Sequence, residues 1–215
     1  MKIEYSIITA TKNSARTLNR TLDSVNKQIF KPKFHLFVDK DSNDQTLEII
    51  ENYKKKKNTK VILLNQKKSG IYNAWNEGLI YILSKVSDSH YFCILNSDDW
   101  LVENYIDLLN KYNGEELIAG ACIAHYQNKK IVRKCRTLNM FPFYMPIIDP
   151  SLLIRASLYR KIGLYREKFK VAGDYDFSYR AFKNGYSPKV VEEILVNVEM
   201  GGFASQNLVF SKSQS

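Results

Sequence analysis

The sequence predicts an α/β protein, a three-layer α/β/α sandwich around a mostly parallel, mixed central sheet. Short apolar runs of strand length alternate with segments of helical periodicity through the first 112 residues, the pattern of a parallel sheet covered on both faces. Polar side chains gather where those runs stop, as at Asp39 and Asn96-Ser97-Asp98-Asp99. From Gly114 the rhythm changes: Leu117 to Tyr126 and Lys130 to Cys135 are separated by Gln127-Asn128-Lys129, a hairpin signal that adds an antiparallel element.

Taken in order, Ile3 to Thr9 reads as a buried strand. Asn13 or Ser14 then caps a helix with Leu18, Leu22 and Val25 at helical spacing. Lys33 to Asp39 is the second strand, and the polar loop Asp41-Ser42-Asn43-Asp44 opens a helix marked by Leu47, Ile49, Ile50 and Tyr53. Lys60 to Leu64 is the third strand. The helix from about Gly70 sets Trp75, Leu79, Ile82 and Val86 on one face, a stripe that must offset the local weakness of Gly78. His90 to Leu95 is the fourth strand, and Leu101 to Tyr112 reads as a helix for which Asp98 or Asp99 is an available N-cap.

Beyond the hairpin, Leu138 to Pro150 is a loop or cover rich in aromatics, and Ser157 to Ile162 is a short helix. Asp174 to Asn184 is a longer helix stopped by Gly185, and Lys189 to Val198 is a last strand. One domain is expected over 1–200, with a nucleotide-binding half to about residue 112 and a substrate-facing half over 113–200. Residues 201–215 read as a polar tail.

With 215 residues, 45% hydrophobic, the chain can fill one core. No apolar stretch approaches the ~18 residues of a membrane span and no signal-peptide pattern opens the chain, so a cytoplasmic location is expected. Cys93, Cys122 and Cys135 are widely separated and read as buried thiols. His35, His90 and His125 are isolated, so no zinc site competes. The net charge of +10 gathers in Lys54 to Lys57, Lys67-Lys68 and Lys129 to Arg136, which favours an anionic partner: nucleic acid, an anionic lipid surface or a phosphorylated substrate. The aromatics do not interleave with these cations as a base-stacking platform requires, which argues against nucleic acid.

Strand ends at Thr9, Asp39 and Asn96 to Asp99 bring polar side chains to one edge of the sheet, the edge where open α/β sheets bind ligands. Two adjacent carboxylates, Asp98 and Asp99, suit Mg²⁺ or Mn²⁺, which complete their shells from phosphate and water. A metal-bridged diphosphate is the ligand to expect there.

Six segments in order carry a resemblance: Ser6 to Asn13; Phe37 to Thr46, with Val38-Asp39-Lys40-Asp41; Ser69-Gly70-Ile71-Tyr72-Asn73-Ala74-Trp75-Asn76-Glu77-Gly78; Leu95 to Asp99; Pro150 to Arg155; and Ala172-Gly173-Asp174-Tyr175-Asp176 through Arg180. Together they resemble glycosyltransferase family 2, the nucleotide-diphospho-sugar transferases of bacterial cell-surface glycans, with the Rossmann-like A-type fold. The resemblance implies an inverting, Mn²⁺- or Mg²⁺-dependent transfer from a nucleoside-diphosphate sugar, uridine-linked by preference, to a hydroxyl of a growing glycan.

By the same resemblance, Thr9 and Asp39 line the base pocket with Asp41 nearby, and Gly70 and Asn76 belong to the loop and helix start that close over the donor. Asp98 faces the ribose or sugar, Asp99 holds the metal, and Asp174 is the general base with Asp176 as the alternative. The acceptor is expected to be a glycan, on a lipid carrier at the inner membrane face if the basic surface makes a peripheral contact.

Five positions depart from the family pattern. Gly173 stands where many members have a second acidic residue, and Asp149 stands before Pro150 where close relatives often carry His. Asn73 replaces a common Asp, and Lys40-Asp41 replaces a small or acidic pair.

Three other classes fit less well. A haloacid-dehalogenase-like phosphotransferase would place its Asp-x-Asp after the first strand, whereas here a whole β-α unit precedes Asp39. A sugar-1-phosphate nucleotidyltransferase would carry a glycine-rich loop where Thr11-Lys12-Asn13-Ser14 has none. A non-catalytic polyanion-binding protein would give the acidic strand ends no role.

Overall fold

The computed structural model describes residues 2–56 and 59–201. The tail expected from residue 201 therefore lies outside the described residues except for Gly201, as does Lys57 of the lysine run. Strands β1 (Tyr5–Thr11), β2 (Phe34–Asp39), β3 (Lys60–Asn65) and β4 (Tyr91–Ile94) pair in parallel in the order β3-β2-β1-β4. Helices α1 (Ala15–Lys27), α2 (Thr46–Lys55) and α3 (Ile71–Leu83) connect them. Every residue of β2 and β4 is buried, which is why these strands read as unbroken apolar runs and not as an alternation.

The sheet continues through β5 (Trp100–Leu101), β6 (Leu117–Tyr126), β7 (Lys129–Arg133), β8 (Leu153–Arg155) and β9 (Lys189–Glu199). Its order is β3-β2-β1-β4-β8-β6-β9-β5, with β7 added to β6. β8 runs antiparallel to both β4 and β6, so the parallel half and the second half meet at a three-residue strand. Helices α4 (Tyr105–Leu109), α5 (Ala156–Ile162) and α6 (Gly173–Lys183) complete the layers. The fold is the expected α/β sandwich with a mixed sheet.

Leu18, Leu22 and Val25 of α1 are buried at the spacing read from the sequence, and the same holds for Trp75, Leu79 and Ile82 of α3. Each such side chain contributes about 1.5–3 kcal/mol by leaving water. Gly78 is a packing requirement: a Cβ there would lie 2.8 Å from Ile8 Cγ2 and 3.1 Å from Leu36 Cδ2. Its absence lets α3 approach β1 and β2, which more than offsets the weak helix propensity of glycine.

Two elements differ from expectation. The helix predicted over Leu101 to Tyr112 is only α4 followed by a 3-10 turn at Asn110–Tyr112. Trp100 and Leu101 are instead β5, paired with Asn197 and Val196. A distant partner has overridden local helical spacing. β8 is the second difference, since three residues are too few to show a period. Among the described residues no helix is long and apolar enough to cross a membrane.

Candidate functional site

The carboxyl ends of β1, β2 and β4 open onto one edge of the sheet, and the side chains there are joined by hydrogen bonds. β1 runs two residues further than its sequence suggested. Thr9 is therefore not at the strand end: it is fully buried inside β1, with Oγ1 3.1 Å from His35 Nε2. His35 Nδ1 lies 3.1 Å from Tyr53 OH, and burial pushes the imidazole down to about 3, so it is neutral. Thr9 is thus a link in the core. Thr11 takes its place, two residues on and on the same face, and its hydroxyl donates to Asp39 Oδ2 at 2.7 Å.

Asp39 stands at the end of β2 as expected, 4% exposed. Besides Thr11, its carboxylate accepts the Ser42 hydroxyl at 2.6 Å and the Ser42 N–H at 2.9 Å. The next loop is tied in through Asn13, whose N–H donates to Ser42 Oγ and whose Oδ1 accepts the Asn43 N–H. Ser14 Oγ lies 2.9 Å from Ser97 Oγ, which links this loop to the one after β4. Asp41 points outward from a left-handed backbone (φ +50°) and pairs with Lys40 Nζ at 2.6 Å, which holds its carboxyl below the usual range.

Asp98 and Asp99 do not cap a helix, because α4 begins only at Tyr105 after Asn104. α1 holds their backbone: Arg20 donates to the Asp98 carbonyl at 2.9 Å and Thr21 to the Asp99 carbonyl at 2.7 Å. Arg20 also pairs with Glu199 at 2.8 Å and lies 3.8 Å above the Trp100 ring.

The Asp99 carboxylate is 2% exposed, with Oδ1 accepting the Glu199 N–H and Oδ2 accepting Asn96 Nδ2, both at 3.0 Å. Burial, then the charge of Asp98, push Asp99 up to about 7, and burial raises Asp98 as well. Among the described residues neither carboxylate has an ion-pair partner. The neighbouring carboxylates of half-buried Asp98 and buried Asp99, whose repulsion Arg20 relieves only in part while it binds Glu199 and the Asp98 carbonyl, fit a divalent cation, and each Asp99 oxygen keeps a lone pair for it. No group of three potential ligands exists among the described residues, so phosphate or water oxygens would have to complete the shell.

The second half brings Asp174 to the site at the first turn of α6. Tyr72 of α3 donates its hydroxyl to Asp174 Oδ1 at 3.0 Å. Gly173 has a steric reason: a Cβ there would sit 2.8 Å from the Tyr72 ring, so the acidic residue common in the family has no room. Asp176, the alternative base, is bound to Arg166 at 3.1 Å and to Arg180 at 2.9 Å.

Asp149, which the sequence marked only as a departure, joins the same locality. Burial, then the charges of Asp174 and Asp99, push its carboxyl well above the ordinary range. The site thus draws carboxylates from three separate parts of the chain: the loop after β4, the 3-10 turn before β8 and the first turn of α6.

Gly70 and Asn76 prove to shape the site from behind. Gly70 caps α3 at φ +113°, a conformation that favours glycine, and its carbonyl accepts Gln66 Nε2 at 2.7 Å. Asn76 is 4% exposed. Its Nδ2 donates to the Tyr165 carbonyl at 2.8 Å and its Oδ1 accepts the Tyr165 N–H at 3.1 Å. Both ends of the amide are spent on the backbone of the second half, so Asn76 clamps the halves together.

Comparison with known proteins agrees with this geometry. The sequence model of Glycosyl transferase family 2 matches residues 6–188. The PGL/p-HBAD biosynthesis glycosyltransferase of Mycobacterium tuberculosis is 26% identical over 185 residues, covering 84% of this chain and 70% of that protein. Staphylococcus aureus TarS 1-349 in complex with UDP-GlcNAc superimposes with a TM-score of 0.71 at 21% identity over 95% of this chain. The mannosyltransferase PcManGT from Pyrobaculum calidifontis, in complex with GDP-Man and Mn²⁺, gives 0.70 at 14% identity over 100% of the chain. The chain spans 61% and 62% of those two solved chains. With the family's segments matched along most of its length and the A-type fold formed around them, the chain belongs to glycosyltransferase family 2.

Proposed function

We propose that this glycosyltransferase moves a sugar from a nucleoside-diphosphate donor to a hydroxyl of a growing cell-surface glycan, with inversion at the anomeric carbon. The observation that carries the reading is the meeting of the adjacent pair Asp98-Asp99 with Asp149 and the Tyr72-held Asp174 in one locality. The relatives support it: one was solved with UDP-GlcNAc, another with GDP-Man and Mn²⁺. Their bases differ, and the uridine preference rests on the resemblance around Asp39. Residues to about 112 would serve the donor and 113–200 the acceptor.

In this reading Asp39 and Thr11 form the floor beneath the base, with Asp41 at its rim. Asp99 would hold Mn²⁺ or Mg²⁺ with Asp98 beside it, toward the ribose or sugar. When bound, the cation would neutralise charge on the departing diphosphate. Asp174 keeps Oδ2 free while Oδ1 accepts from Tyr72. It would take the proton of the acceptor hydroxyl as that oxygen attacks opposite the leaving group. Tyr72 fixes the carboxylate's orientation. Gly173 keeps that phenol in place by leaving space for it.

A lipid-linked acceptor, reached from the cytoplasm by peripheral contact with the inner membrane face, fits the net charge of +10. The test is a panel of nucleotide sugars with an acceptor extract, scored for nucleoside diphosphate release and product anomer with Mn²⁺, Mg²⁺ or chelator. Cation-dependent release with an inverted product is expected. Turnover undiminished by chelator would remove the metal assignment, and a retained anomer would remove Asp174 as the base.

A further inference from the structure

An open groove of about 420 Å³ lies beside the acidic site, walled by Arg133, Lys134, Arg136 and Tyr144 with Ile147 and Ile148 among its lining. Its position follows from the edge of β6. Arg133 is paired with Cys122, Cys135 Sγ contacts the Gly120 carbonyl at 3.4 Å, and Ser151 Oγ donates to the same carbonyl at 2.8 Å. The basic segment and the turn that carries Asp149 therefore lie along one strand edge. Ile148 lines the groove and Asp149 is the next residue. The segment between them is anchored to α6, where Phe141 stacks on Phe182 at 4.9 Å and its carbonyl accepts the Tyr175 hydroxyl.

The charge in this groove is uncompensated. No Asp or Glu occurs from Leu117 to Ile148, a stretch that holds Lys129, Lys130, Arg133, Lys134 and Arg136. Among the described residues none of these five forms an ion pair, whereas Arg20, Lys33, Lys68, Lys111, Arg160 and Lys161 elsewhere on the surface all do. The Arg136 guanidinium is set 5.4 Å from the Tyr144 ring centre and donates one long bond, Nη1 to the Tyr144 hydroxyl at 3.5 Å, which leaves its other N–H groups for a ligand. Like charges gathered in a concavity repel one another unless an anion joins them, and two guanidiniums with an ammonium match the several oxygens of a phosphate.

We propose that the groove seats a phosphate group of the acceptor, so that the acceptor is a phosphate-bearing glycan. The inference rests on the transferase reading above and deepens it. Arg133, Lys134 and Arg136 would hold the phosphate while a nearby hydroxyl of the same molecule reaches Asp174.

The test measures binding to the full chain, without turnover. Probes are a soluble polyol-phosphate oligomer, a short-chain lipid diphosphate sugar, an uncharged oligosaccharide, a uronate oligosaccharide and phosphatidylglycerol vesicles. The phosphate-bearing probes are expected to bind with a steep loss on raising salt, and at least tenfold more weakly to the Arg133→Gln/Lys134→Gln/Arg136→Gln variant. Whichever of the two binds more tightly names the source of the phosphate. Equal binding of the uncharged or uronate probe, binding to vesicles alone, or a triple variant that binds as the parent does would each overturn the proposal. Arg136→Gln alone, checked by its melting curve, serves if the triple variant is unstable. Absence of donor turnover in the parent would count against the transferase reading and leave the binding result standing as it falls.

Discussion

In the β1–β4 half, polar groups at the strand ends spend themselves on one another, whereas in the second half they are left in excess. Asp39 takes three hydrogen bonds from Thr11 and Ser42, and Asn13, Ser14 and Ser97 close the loops around it. From Lys129 to Arg136, five cations have no ion pair among the described residues, and Asp149 is raised by burial and then by the charges of Asp174 and Asp99. The first arrangement is a preformed wall. The second carries charge that an anionic ligand would balance. Asp99 lies at the join, its backbone held by Thr21 of the first half and its carboxylate accepting the Glu199 N–H of the second.

The largest effect should come from the base. Asp174→Asn is expected to lower the transfer rate by about 10²–10⁴-fold, measured as nucleoside diphosphate release under saturating donor. A comparable loss in Asp176→Asn would break the assignment, since that carboxylate is committed to two arginines.

The clamp between the halves comes next. Asn76→Ala leaves the Tyr165 N–H and carbonyl without partners and should cost about 1–3 kcal/mol of stability, read from chemical denaturation, with donor affinity near that of the parent. A selective loss of donor affinity in a stably folded variant would return Asn76 to the donor site.

Tyr72→Phe removes one bond to a carboxylate, worth roughly 1.5–3 kcal/mol in general. Transfer should fall on the order of tenfold or more, the pH profile of kcat should shift, and KM for the donor should hold. No change in the pH profile would make Tyr72 mere packing.

The smallest effect is a slope. His35 and His90 both sit in the first half and burial depresses both, to about 3 and about 4. In the unfolded chain each takes up a proton below about 6.5, while the folded chain resists. The unfolded state thus binds more protons between pH 6.5 and 4, and stability is lost as pH falls through that window, at up to about 1.4 kcal/mol per pH unit for each histidine. Replacing His90 with Gln should flatten the measured dependence, and an unchanged slope would contradict its neutral burial.

Strands β1 to β4 and their helices were legible because buried parallel strands write themselves as apolar runs and amphipathic helices as stripes. The acidic strand ends were legible for the same reason. A two-residue error at the end of β1 kept the face but substituted Thr9 for Thr11. β5 was read as helix because its partner, Val196, lies far along the chain. The clamp made by Asn76 was not legible for a similar reason, its partner Tyr165 being 89 positions away. The role of Gly173 depends on a ring from another helix, which no local pattern encodes. Asp149 was visible as a departure, but its placement near Asp99 and Asp174 required the turn before β8.

The most direct test of the central claim, a donor site in the first half served by a base from the second, is calorimetric titration of UDP-sugar into the parent, Asp99→Asn and Asp174→Asn, each with Mn²⁺ and with chelator, followed by a transfer assay on the same samples. The account predicts that Asp174→Asn binds donor as the parent does yet transfers nothing measurable, and that Asp99→Asn loses the Mn²⁺-dependent part of binding. Donor binding abolished by Asp174→Asn, or Mn²⁺-dependent binding untouched in Asp99→Asn, would contradict it.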